Sequence, residues 1–110
     1  LNITLMQKAA KLLQGTKDFS TYRSSSCGAK SPIKTLERVI IKKKKNKIIM
    51  TFKSRSFLQQ QVRSMVGCLK FVAEGKWNIK KFKSVMQSKK RINCAPPAPA
   101  RGLYLFKVNY

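Results

Sequence analysis

The chain has no histidine, and only three of its 110 residues are acidic: Asp18, Glu37 and Glu74. Histidine and the carboxylates do most general acid–base work near neutral pH, so proton-transfer catalysis has few candidates here. The three acids fall in a loop, a strand-like run and a helix end, and no two of them form a pair; each reads as structural, Asp18 as a brace for its loop. Cysteine is sparse as well. Cys27, Cys68 and Cys94 are odd in number and widely spaced, with no Cys-x-x-Cys pair. That pattern speaks against a zinc site or any other metal centre, against a disulfide framework, and for a reducing compartment. No apolar run approaches the roughly 20 residues of a membrane-spanning helix, and the first residues lack the pattern of a signal peptide. A soluble protein with no membrane partner is expected.

Positive charge is abundant. Twenty-five Lys and Arg against three acids give a formal charge of +22, far beyond what solubility requires. A polyanion is the expected partner. The basic residues are spread along the chain and not gathered on one amphipathic helix, which favours nucleic acid over a membrane surface. A compositional drift towards Lys, Asn and Ile is the competing source of part of this excess. With 43% hydrophobic residues, the chain can build one modest core, and residues 1–110 are expected to form a single domain.

Thr4 and Gln7 have capping-box spacing and predict a first helix, with Leu5, Met6, Ala9, Ala10, Leu12 and Leu13 on its apolar side and Gly15 at its end. Residues 16–33 read as a long loop that packs through Phe19 and Tyr22. Lys34 to Lys42 and Lys47 to Lys53 read as strands of a hairpin turning around Asn46. The Lys42 to Lys45 run at its tip is a solvated turn in the simplest reading and an RNA-backbone contact in the other. Trp77 and Phe82 flank Asn78 as a hydrophobic staple would, which predicts a short helix over about 79–87. The proline-rich segment 95–100 acts as a stiff connector to a last strand, 102–108, whose continuous apolar character predicts a central place in the sheet.

The most informative stretch is Phe57-Leu58-Gln59-Gln60-Gln61-Val62-Arg63-Ser64-Met65-Val66-Gly67. Ser56 and Gln59 form a second capping box, so a helix is expected to begin at Phe57 and stop at Gly75. Leu58, Val62, Met65, Val66, Leu69 and Val72 form its buried stripe, while Gln59, Arg63 and Gly67 follow at i+4 on an adjacent face. A charge beside a position without a side chain is either a site where something approaches closely or a solvated flank with a tolerated glycine.

Taken in order, Ala9-Ala10 with Gly15, Lys17-Asp18-Phe19, Cys27, the Phe57-Leu58…Val62-Arg63…Val66-Gly67 helix, and Gly102-Leu103-Tyr104-Leu105 with Val108 and Tyr110 resemble the C-terminal half of the TruA family of tRNA pseudouridine synthases. The resemblance covers essentially the whole chain. It implies an α+β fold with an antiparallel sheet backed by helices, a homodimer, and a tRNA anticodon stem-loop as substrate. The reaction it implies is isomerisation of uridine to pseudouridine at positions 38 to 40 of the anticodon arm, without cofactor or metal. The family's essential aspartate lies in an Arg-Thr-Asp-x-Gly-Val-His type motif of the N-terminal half, which does not occur here; Asp18 matches a different segment. The resemblance therefore implies one half of an active site, inactive alone, whose partner is the N-terminal half of the same enzyme. Arg63 matches the arginine that pairs with the catalytic aspartate, and a guanidinium beside a carboxylate keeps the acid ionised and oriented. Phe57, Leu58 and Leu103 match positions near the base, where core packing is the other reading. Gly67 matches a point of close approach, and Gln59 and Gln60 contact either RNA or solvent. Lys17 and Gln61 depart from the residues usual in the family, histidine and methionine. A bacterial cytoplasmic location is expected, with an organelle matrix as the alternative. A basic RNA-binding module without chemistry, or a structural domain whose charge is compositional, are the competing classes.

Overall fold

A computed structural model describes residues 2–23, 31–45, 47–57 and 61–97, and the backbone alone of 104–109. Among the described residues three α-helices and four strands make an α+β fold, as expected. Helix α1, Ile3–Leu13, starts two residues earlier than its capping box suggests: Asn2 is the N-cap, and its side chain accepts from Leu5 N at 3.0 Å. Asn2 N also donates to Ala73 O at 2.8 Å, so a tertiary bond helps choose the cap. Gln7 does not close a capping box with Thr4; its amide donates to Ile41 O at 3.0 Å.

The stretch read as one long loop contains a strand, β1 (Gly15–Asp18), and a 3₁₀ turn (Ser20–Tyr22). β1 pairs antiparallel with β2 (Ile33–Lys44), and β2 pairs antiparallel with β3 (Lys47–Ser54). The hairpin is therefore as expected, but β2 runs through Lys44, and Lys45, with φ 55°, lies in the turn; Asn46 lies outside the described residues. Lys42, Lys43 and Lys44 are all exposed, so continuing the ladder buries no charge. Glu37 is an extra residue in the β2–β3 register, between Leu36↔Ser54 and Arg38↔Lys53. Because side chains alternate along a strand, that bulge moves the buried set from Leu36 to Val39 and Ile41. Beyond β1, the edge of β2 is satisfied from the helix side, where Gln14 Oε1 accepts from Val39 N at 2.9 Å and Gln7 bonds Ile41 O.

Helices α2 (Gln61–Ala73) and α3 (Ile79–Ser88) follow β3. Phe57 lies outside any helix, so α2 does not begin there, and residues 58–60 lie outside the described residues. α3 is as expected, with Asn78 Oδ1 accepting from Lys81 N at 2.7 Å. The chain returns as β4 (Tyr104–Asn109), which pairs parallel with β3. This corrects the expected central position, because the described sheet has the order β1-β2-β3-β4 and places β4 at its margin. It also adds a parallel pair to the expected antiparallel sheet, since a strand reached through two helices can re-enter in the same direction as the one before them. One core joins Met6, Ala9, Ala10 and Leu13 of α1, Leu36, Ile41, Met50 and Phe52 of the sheet, Met65, Val66 and Leu69 of α2, and Phe82 of α3. No described helix is long and apolar enough to cross a membrane.

Candidate functional site

Helix α2 is buried around its whole circumference from Ser64 to Leu69, which covers more than a full turn. Arg63, one residue earlier, is exposed, and Gln61 and Val62 before it are buried. Arg63 is therefore an exposed position on a helix whose backbone is packed before and after it. No acidic residue occupies the first described turn of α2. Arginine is the side chain best suited to bidentate recognition of a carboxylate or phosphate.

Gly67 is buried within the same helix, so it and Arg63 do not form one accessible face. Phe57 is half-buried and packs against the core. Leu58, Gln59, Gln60 and Leu103 lie outside the described residues. The structure thus describes Arg63, Phe57 and Gly67 of the expected site residues, and it sets them in three different environments.

A second group of residues adjoins Arg63 through Ser64. The Ser64 hydroxyl is fully buried and lies 2.5 Å from an Arg91 guanidinium nitrogen, which also donates to Tyr22 O at 3.0 Å. Arg91 sits in a 3₁₀ turn, Arg91–Asn93, and the next residue, Cys94, brings its sulfur to 3.5 Å from that of Cys68 on α2. The Tyr22 hydroxyl is buried and has no hydrogen-bond partner among the described residues. Burial, and then the nearby sulfurs of Cys68 and Cys94, raise its pKa well above the ordinary phenol value. Sequence reasoning missed this group, because the spacing of 26 residues between the cysteines carries no motif; Arg91 gave no signal either.

The acids are occupied elsewhere. Asp18 accepts from Ser20 N at 2.8 Å, the bracing role expected of it. Burial opposes its charge, but the Ser20 bonds and the nearby Lys89 and Arg23 outweigh it and hold the carboxyl below its ordinary value. Lys17 donates to Leu12 O, and desolvation lowers its pKa. Glu74 lies 3.6 Å from Lys76 at the surface, and Glu37 occupies the bulge, exposed. Among the described residues no three potential ligands gather to hold a metal ion.

Two open clefts flank the sheet. One, of about 620 Å³, is lined by Thr16, Lys34, Thr35, Glu37, Arg55 and Ser56 among others; the second, of about 630 Å³, runs between α1 and β2 past Lys8, Lys11 and Arg38. Neither is lined by Arg63. Cations border both, which suits a long anionic ligand better than a small enclosed one.

The sequence matches the model of the tRNA pseudouridine synthase family over residues 9–110. It is 66% identical to tRNA pseudouridine synthase A of Pelagibacter ubique over all 110 residues. It is 46% identical to the protein of the same name from Bartonella tribocorum, and 43% identical to that from Parvibaculum lavamentivorans, again over its full length. In each case the chain spans less than half of the relative, 45% for the first. The match runs across the exposed arginine of α2, the buried helix that carries it and the flanking strands, and on this ground the chain belongs to the tRNA pseudouridine synthase family.

Proposed function

We propose that this chain is the C-terminal part of a tRNA pseudouridine synthase that converts uridine to pseudouridine at positions 38 to 40 of the anticodon arm. Exposed Arg63, carried on the otherwise buried stretch 61–69 of α2, is the observation that carries this reading. In this proposal Arg63 meets an aspartate supplied by the N-terminal half of the enzyme. The ion pair keeps that carboxylate charged and aimed at the nucleoside while the N-glycosidic bond breaks, the uracil turns and a carbon–carbon bond forms. Phe57, Leu58 and Leu103 form the apolar wall on which an extruded base recovers its lost stacking, Gln59 and Gln60 touch RNA, and Gly67 allows close packing behind the arginine. The surrounding cations bind tRNA phosphates without regard to sequence. The enzyme acts as a cytoplasmic homodimer and needs no cofactor or metal.

The engagement of all three acids in braces, a bulge and a surface pair favours a chain that performs no chemistry alone. A basic RNA-binding module is the second reading. Tritium release from tRNA labelled at uridine C5 separates the two. Release only when this chain is combined with the separately expressed N-terminal half is the expected outcome. Absence of release, despite tight tRNA binding and demonstrated association of the folded halves, points to the binding module.

A further inference from the structure

Cys68 and Cys94 come from separate elements, helix α2 and the end of the 3₁₀ turn after α3, yet their sulfurs lie 3.5 Å apart and both thiols are free. A disulfide needs about 2.05 Å between sulfurs, so a small approach suffices. Cys68 is fully buried, whereas Cys94 is partly exposed. Arg91 and Ser64 stand beside them, and Cys94 Sγ lies 3.9 Å from Ser64 O. The Tyr22 hydroxyl, buried and without a hydrogen-bond partner among the described residues, feels the charge of both sulfurs.

We propose that Cys94 and Cys68 form a dithiol modification site, in which Cys94 attacks a low-molecular-weight disulfide and Cys68 then closes an intramolecular disulfide. In the first step the Cys94 thiolate bonds to one sulfur of the small disulfide, and the other leaves as a thiolate. Cys68 then loses its proton, attacks the Cys94 sulfur and releases the second small thiolate. The protein loses two protons and two electrons, and the small disulfide takes them up as two thiols. The order follows from access and from charge. The hydrogen bond with Cys68 lowers the Cys94 pKa most, with Arg91 and Ser64 helping against desolvation, while that same bond and burial push Cys68 up. The closed bond would tie α2 to the Arg91 turn, five residues along the helix from Arg63.

The test uses oxidised glutathione as the probe and this chain with Cys27→Ser, which removes the third thiol. The expected product is lighter than the reduced protein by two hydrogen atoms, with peptide mapping that links Cys68 to Cys94. Cys68→Ala in the same background should stop at a glutathione adduct on Cys94, and Cys94→Ala should leave Cys68 unmodified. Iodoacetamide should alkylate Cys94 at least about tenfold faster than Cys68 in the folded protein. Stable adducts on both cysteines without a link, or two unreactive thiols in a protein shown to be folded by circular dichroism, would overturn the proposal.

Discussion

Arg63 is carried on a firmly held backbone, since α2 is enclosed by the core from Ser64 to Leu69. A fixed guanidinium can orient a single carboxylate, whereas a surface lysine on a flexible stem mainly adds charge. In the full-length enzyme, Arg63→Ala should therefore lower kcat by about 10²–10³-fold or more while tRNA affinity changes little. Steady-state kinetics and filter binding on the same preparation check this, and an equal loss of both would count against a site role. The arginine was legible from the sequence because it interrupts an apolar period at a position that matches a family motif. Arg91 was not, because its importance lies in reaching Ser64 and Tyr22, which are 27 and 69 residues away along the chain.

At the scale of elements, the end of α2 shows how a local signal becomes a structure. Gly75 has φ 81°, Gly75 N bonds Val72 O at 3.1 Å, and Lys76 N bonds Phe71 O at 2.9 Å, the two bonds of a Schellman ending. The ending also gathers Lys76 over the Phe71 ring at 4.8 Å and sets Trp77 edge-on to it, with centroids 5.2 Å apart. A methyl group at Gly75 would meet nothing within 4 Å, so its cost is conformational and not steric. Gly75→Ala should thus destabilise the fold by about 1–2 kcal/mol, read as a lower urea midpoint with an unchanged slope. This stop, the Asn78 cap and the β2–β3 hairpin were all expected, since each depends on residues close in sequence. β1 was not expected: Gly15, Lys17 and Asp18 have little strand preference, Thr16 alone is too short a signal, and the four pair because residues 33–36 supply the ladder.

For the whole molecule, charge dominates. With a formal +22 and cations bordering both open clefts, tRNA affinity should rest largely on phosphate contacts. Raising salt from about 50 to 200 mM should weaken tRNA binding by at least about tenfold, with a linear log–log slope that counts the contacts. Affinity that ignores salt would favour a structural domain. Net charge is additive over the chain and needs no structure to read, but its distribution over the clefts does.

The sequence by itself determined the class of fold, the hairpin, α3, the end of α2, the basic character and the family, because capping, periodicity and motif order act over a few residues or survive as an ordered list. Tertiary structure decided the rest. It selected Asn2 over Thr4 as a cap through Ala73, formed β1 against β2, and brought β4 back parallel to β3. It also enclosed Gly67 while leaving Arg63 exposed, and brought the Cys68 and Cys94 thiols side by side. Each of these depends on groups distant in sequence that meet only when one core closes, and no pattern within a single segment encodes such a meeting.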